Sequence, residues 1–191
     1  NCGRECIKNL LISRDSNDQS PLFYLRPSDF NSLRFNVESY WNYLCKYLAT
    51  EELLTEIFAL KSDSLSIFHH CSINGNLKLF EFLIEKLIEL DASKLKFIFD
   101  TPCKRQTFKD KRFLHMAAFS KNLEFHEFMW KRFLEVYSDE KELTRIILSE
   151  DNDDDNFMHI LVAWSSREVI EFTLTLIKEK FKNHQEIFKS K

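Results

Sequence analysis

The chain has 191 residues, 44% apolar and 30% charged, with a formal net charge of −3. That balance fits a folded chain able to bury a sizeable core, and it lacks the basic footprint that non-specific nucleic-acid binding requires. Glycine is scarce: only Gly3 and Gly75 occur, which excludes the phosphate-binding loops, dinucleotide fingerprints and nucleophile elbows that need two or more glycines at set spacings.

From the N-terminus, residues 7–23 (IKNLLISRDSNDQSPLF) read as a short apolar helix followed by a polar loop. A helix follows at 37–48 (VESYWNYLCKYL), about seven residues late against the later pattern, so an insertion precedes it. Residues 54–69 repeat the helix-and-loop opening. Residues 77–90 carry Leu79, Phe80, Leu83, Ile84, Leu87 and Ile88 at helical spacing, and residues 123–137 do the same with Phe125, Phe128, Met129, Phe133, Val136 and Tyr137. Residues 143–159 open a further segment, and HQEIFKSK (184–191) starts another short helix. No strand-like alternation occurs. The three prolines (Pro21, Pro27, Pro102) fall at loops or helix starts.

Two landmarks recur in step. The hydrophobes Phe68, Leu114 and Met158, each preceding a histidine, are separated by 46 and 44 residues. The pairs Glu81-Phe82, Glu127-Phe128 and Glu171-Phe172 keep the same intervals. Around the first landmark stand Ser20-Pro21-Leu22-Phe23, Ile67-Phe68-His69, Phe113-Leu114-His115-Met116-Ala117-Ala118 and Phe157-Met158-His159. After it come Asn74-Gly75-Asn76, Ser120-Lys121-Asn122 and Ser165-Ser166-Arg167.

These segments resemble divergent ankyrin repeats, with units of 44–46 residues in place of about 33. The resemblance implies an all-α solenoid with an extra short helix per unit. Its expected divisions are 1–15 (end of a preceding unit), 16–61 (a degenerate unit with an insertion), 62–108, 109–151, and 152–191 with the start of the next. The array is expected to be part of a longer chain, because the first residue is Asn and the pattern runs off both ends. The hairpin glycines of the family are replaced near Lys111 and Asp155, so regular β-hairpin fingers are not expected. The resemblance also gives His69, His115 and His159 a structural role, tying adjacent backbones through ring hydrogen bonds. It implies a non-catalytic scaffold, adaptor or inhibitor that binds another protein and needs no cofactor. The alternative is the cytosolic ankyrin domain of a larger membrane or signalling protein.

The remaining motifs are weighed on their own chemistry. His69-His70-Cys71 suggests a thiol enzyme using Cys71, yet consecutive helical residues fan out by about 100° and cannot converge on one ion. No catalytic or metal-binding residue is therefore assigned. Asp151 to Asn156 opens like a calcium loop but lacks the glycine at the sixth position and the glutamate at the twelfth. The preceding loop is basic, with Lys104, Arg105, Lys109, Lys111 and Arg112. Stacking would set it beside acidic Asp151, Asp153 and Asp154, either neutralising one another or forming a two-signed rim that steers a partner. Trp130, followed by Lys131 and Arg132, is the candidate exposed anchor. Five scattered cysteines and no Asn-x-Ser/Thr site point to a reducing, cytoplasmic setting. No apolar run is long enough to span a membrane.

Overall fold

The structure is a computed structural model describing residues 67–103, 108, 110–182 and 184–189, with Cys6, Asn9, Ser13, Asp15, Ser16, Asn42, Cys45 and Lys46. The degenerate unit at 16–61, including the tetrapeptide at 20–23 and the helix at 37–48, lies outside the described residues apart from those single positions.

Among the described residues the protein is all-α, with nine helices and no strand. They are α1 (Ile67–Asn74), α2 (Leu77–Asp91), α3 (Lys94–Asp100), α4 (Phe113–Ala117), α5 (Leu123–Val136), α6 (Glu140–Ile147), α7 (Phe157–Trp164), α8 (Arg167–Lys180) and α9 (His184–Lys189). None of them is long and apolar enough to cross a membrane. Cys6 is disulfide-bonded, whereas Cys45 and Cys71 carry free thiols.

The helices advance in threes. α1, α4 and α7 begin at 67, 113 and 157; α2, α5 and α8 at 77, 123 and 167; α3, α6 and α9 at 94, 140 and 184. Every series steps by 46 and then by 44. Contacts follow the same order. α4 packs on α1 and on α7, α5 packs on α2 and on α8, and α3 leans against α4 and α5. Ala117 and Ala118, both fully buried, keep α4 narrow enough to lie between two neighbours.

Local chemistry sets the boundaries. α1 stops at Gly75, whose φ of 58° is the left-handed conformation that L side chains rarely adopt. The Gly75 and Asn76 amides donate to the Ser72 and Cys71 carbonyls, the paired bonds of a Schellman ending. Each long second helix then opens on a side-chain cap: Asn76 accepts from Leu79 N–H, Asn122 from Phe125 N–H and Ser166 from Val169 N–H. This cap row aligns Ser166 with Asn76 and Asn122, one residue away from the alignment of the sequence motifs. In α2 the buried stripe is Leu79, Phe80, Leu83, Ile84 and Leu87; Ile88, expected within it, is exposed.

The core is a continuous train of rings. Phe68 meets Phe80 edge-on (6.4 Å), Phe80 stacks on Phe113 (5.4 Å), and Phe113 meets Phe99 (5.0 Å). Phe99 then touches Phe133 (5.3 Å), Phe133 touches Trp130 (5.5 Å), and Trp130 touches Phe157 (5.7 Å). Offset and edge-to-face pairs of this kind add roughly 0.5–1.5 kcal/mol each beyond area burial.

Gly75 also sits where chains crowd. Asn122 Nδ2 donates to its carbonyl at 2.9 Å, and a Cβ at Gly75 would meet Ser120 Oγ and lie 2.8 Å from Asn122 Cβ. Gly75→Ala is therefore expected to cost about 1–3 kcal/mol from backbone strain alone, read as a lower urea midpoint with an unchanged m-value.

Candidate functional site

The first helices are pinned at their N-termini by histidine. His115 and His159 occupy the third position of α4 and α7, and their Nδ1 atoms accept from the amides of Arg112 (3.0 Å) and Asn156 (3.3 Å), which precede the helices. That is half of a capping box, with imidazole in place of carboxylate. Accepting at Nδ1 leaves the proton on Nε2, and His115 Nε2–H donates to the Ser149 carbonyl at 2.8 Å. His69 is buried beside the Thr101 backbone, which favours its charged form. Ser149 lies just past α6, the third helix of the same triplet. His115 thus joins separate backbone segments, and His159 reaches only its own helix start among the described residues.

The two charged loops do meet, but inside the protein. Lys111 Nζ forms an ion pair with Asp151 Oδ2 and reaches Asp153 at 3.2 Å. The Lys111 and Asp151 side chains are both buried. Asp151 Oδ1 also accepts from the amides of Asp153 (2.7 Å) and Asp155 (3.1 Å), so the carboxylate organises its own loop. Burial would lower the Lys111 ammonium and raise the Asp151 carboxyl; the pairing reverses both, holding Lys111 above and Asp151 below the usual range. Lys111 and Asp151 are therefore corrected from rim residues to an internal lock. Asp153 and Asp154 are exposed and Arg112 half-buried. Lys104, Arg105 and Lys109 lie outside the described residues.

Trp130 is a second correction. It is 1% exposed, not an outer anchor, because Phe157 of the next triplet closes over a face of α5 that a two-sided helix would leave to solvent. Cys71 is fully buried, and burial pushes its thiol up. It has neither the access nor the thiolate character that a nucleophile needs. Among the described residues no group of three His, Cys, Asp or Glu is arranged to hold a metal ion.

What the sequence reading missed is a row of aromatic rings along the ends of the first helices. Phe108 meets Phe119 (6.1 Å), and Phe119 meets Trp164 (5.9 Å), the last 60% exposed. The signal was present as an aromatic residue closing α7, but its partner lies 45 residues earlier and only the register brings them together. No family model, curated protein or solved structure matches the chain.

Two tests follow from the buried ionisable groups. Burial pushes His69 and His126 down to about 4 against backbone hydrogen bonds that favour the charged form. The unfolded chain therefore binds protons that the folded one refuses between about pH 6.5 and about pH 4. Their contribution is complete above about pH 6.5 and lost as pH falls through that window, with the Asp151 lock failing at still lower pH. Urea midpoints measured against pH should decline across it, and a flat profile would contradict the burial. Lys111→Met leaves Asp151 buried without its cation and is expected to destabilise by roughly 3 kcal/mol, measured at neutral pH by chemical denaturation.

Proposed function

We propose that the chain is a protein-interaction module: a solenoid of ankyrin-like three-helix units that binds another protein and catalyses nothing. The observation that carries the binding reading is the aromatic row ending on Trp164. A tryptophan 60% exposed yet packed at a tilt against Phe119 is already oriented, and such a side chain loses little entropy when a partner covers it.

Other features support the same reading. The common advance of all three helix series by 46 and 44 residues, with first helices on first helices and second on second, is the arrangement expected when segments too small to stand alone stack in a line. The sealed Cys71 weakens the thiol-enzyme alternative. Exposed Asp153 and Asp154, with Lys104, Arg105 and Lys109 of the basic sequence segment, remain candidates for steering a partner of mixed charge.

The test is Trp164→Ala, with the partner recovered by affinity capture and titrated calorimetrically against both proteins. The expected result is a loss of affinity of at least about tenfold, in the range of an interface hot spot, with the thermal midpoint shifted by no more than a degree or two. Undiminished affinity would remove the aromatic row from the binding surface.

A further inference from the structure

The last triplet carries a face that the other two do not show. An open groove of about 660 Å³ runs between α7, α8 and α9, lined by Met158, His159, Val162, Leu174, Ile187 and Phe188. Val162 stands in register with Ala118 and Ser72, which are 0% exposed, yet it is 63% exposed itself. Leu174 corresponds to buried Trp130 and Ile84 but is only half-buried. The His159 side chain is 31% exposed, whereas His115 and His69 are sealed.

We propose that this groove is the docking seat for a further three-helix unit of the same pattern, joined in tandem behind α9. The proposal rests on the repeat reading above and adds the identity of the occupant. Its chemistry is set by the two covered faces. Phe113 and Phe157, the first residues of α4 and α7, pack against Phe80 and Trp130 of the preceding triplet, so the occupant leads with an aromatic side chain over Leu174 and the adjoining Ile170. His159 Nε2 has no partner among the described residues, while His115 Nε2–H donates to a carbonyl 34 residues ahead. The occupant therefore also supplies a backbone carbonyl at the matching distance. A second copy of the chain is a poorer fit, because Ile67 and Phe68, which open α1, are already buried. Val162 and Trp164 lie about 200° apart around α7, so this seat and the aromatic row are separate surfaces.

The test is an extended chain in which residues 148–191 follow Lys191 a second time. This keeps the 44-residue step and places a serine carbonyl 34 residues after His159, as Ser149 lies after His115. The extended protein should melt at least about 5 °C higher than the 191-residue chain, since an added neighbour contributes its interface to the whole. Val162→Glu should abolish that rise while leaving the midpoint of the 191-residue chain within about a degree. Absence of the rise overturns the proposal, as does a 191-residue dimer on light scattering that Val162→Glu dissociates. Ala118→Glu separates the two levels of argument. If it unfolds the 191-residue chain while the extension gives no rise, the stack stands and the seat does not; if Ala118→Glu is tolerated, both fall.

Discussion

The aromatic train from Phe68 to Phe157 is the interaction on which the rest of the molecule depends. Phe80 touches rings of its own triplet and of the next, meeting Phe68, Phe113, Phe125 and Phe128 within 6.4 Å. A segment of about 45 residues is too small to bury enough apolar surface by itself; only when its neighbour arrives do these rings leave water on every side. Phe80, Phe99, Phe113 and Phe157 make ring contacts between successive triplets and are the material of those junctions. The same logic makes an uncovered end the place where opening costs least.

The polar contacts are secondary to that train but fix its register. Tyr137 O–H donates to Asp100 at 2.6 Å, joining the end of α5 to the end of α3, and Ser165 Oγ–H donates to the Ser120 carbonyl at 2.8 Å across the next junction. The exposed Lys96–Glu142 pair at 2.7 Å adds little, as screened surface pairs do. The buried lock of Lys111 and Asp151 acts differently. It joins two loops forty residues apart, and its partners cannot be exchanged for water without leaving a charge inside. Such a buried pair contributes little net stability over an apolar one, yet losing one partner is costly because it strands the other charge.

Much of this was legible in the order of the residues, and the misses have physical causes. The 46 and 44 spacing could be read because the same burial problem recurs at each segment and is solved with similar side chains. Single-residue offsets could not. Lys111 and Asp155 were read as the glycine replacements, but the left-handed residues are Asp110 (φ 62°) and Asp154 (φ 60°), one position earlier in each loop. Aspartate tolerates that conformation better than most residues, and no pattern of hydrophobicity marks it. Trp130 was misread because a helical wheel assumes one covered face. α5 is covered by α2 on one side and by α7 and α8 on others, so its buried arc is wider than its apolar stripe. The opposite charges of the two loops were visible; that Lys111 and Asp151 neutralise each other in the interior required the fold.

The first helices are thereby divided into a fixed end and a presented end. Their N-termini hold the histidine caps and, for α4 and α7, the flanking Lys111–Asp151 lock, and these groups are buried or engaged with backbone. Their C-termini carry Phe119 and Trp164, half-buried and exposed. Anchoring one end restricts the rotation and sliding of a short helix, and α4 has only five residues over which to take up any error. Trp164 is consequently held at a defined position without being covered. On the binding reading proposed above, that combination suits a recognition surface, because the ordering cost of the side chain is met by folding. Phe108 and Phe119 extend the row from Trp164 towards the preceding triplet, so its position follows from how the two triplets align.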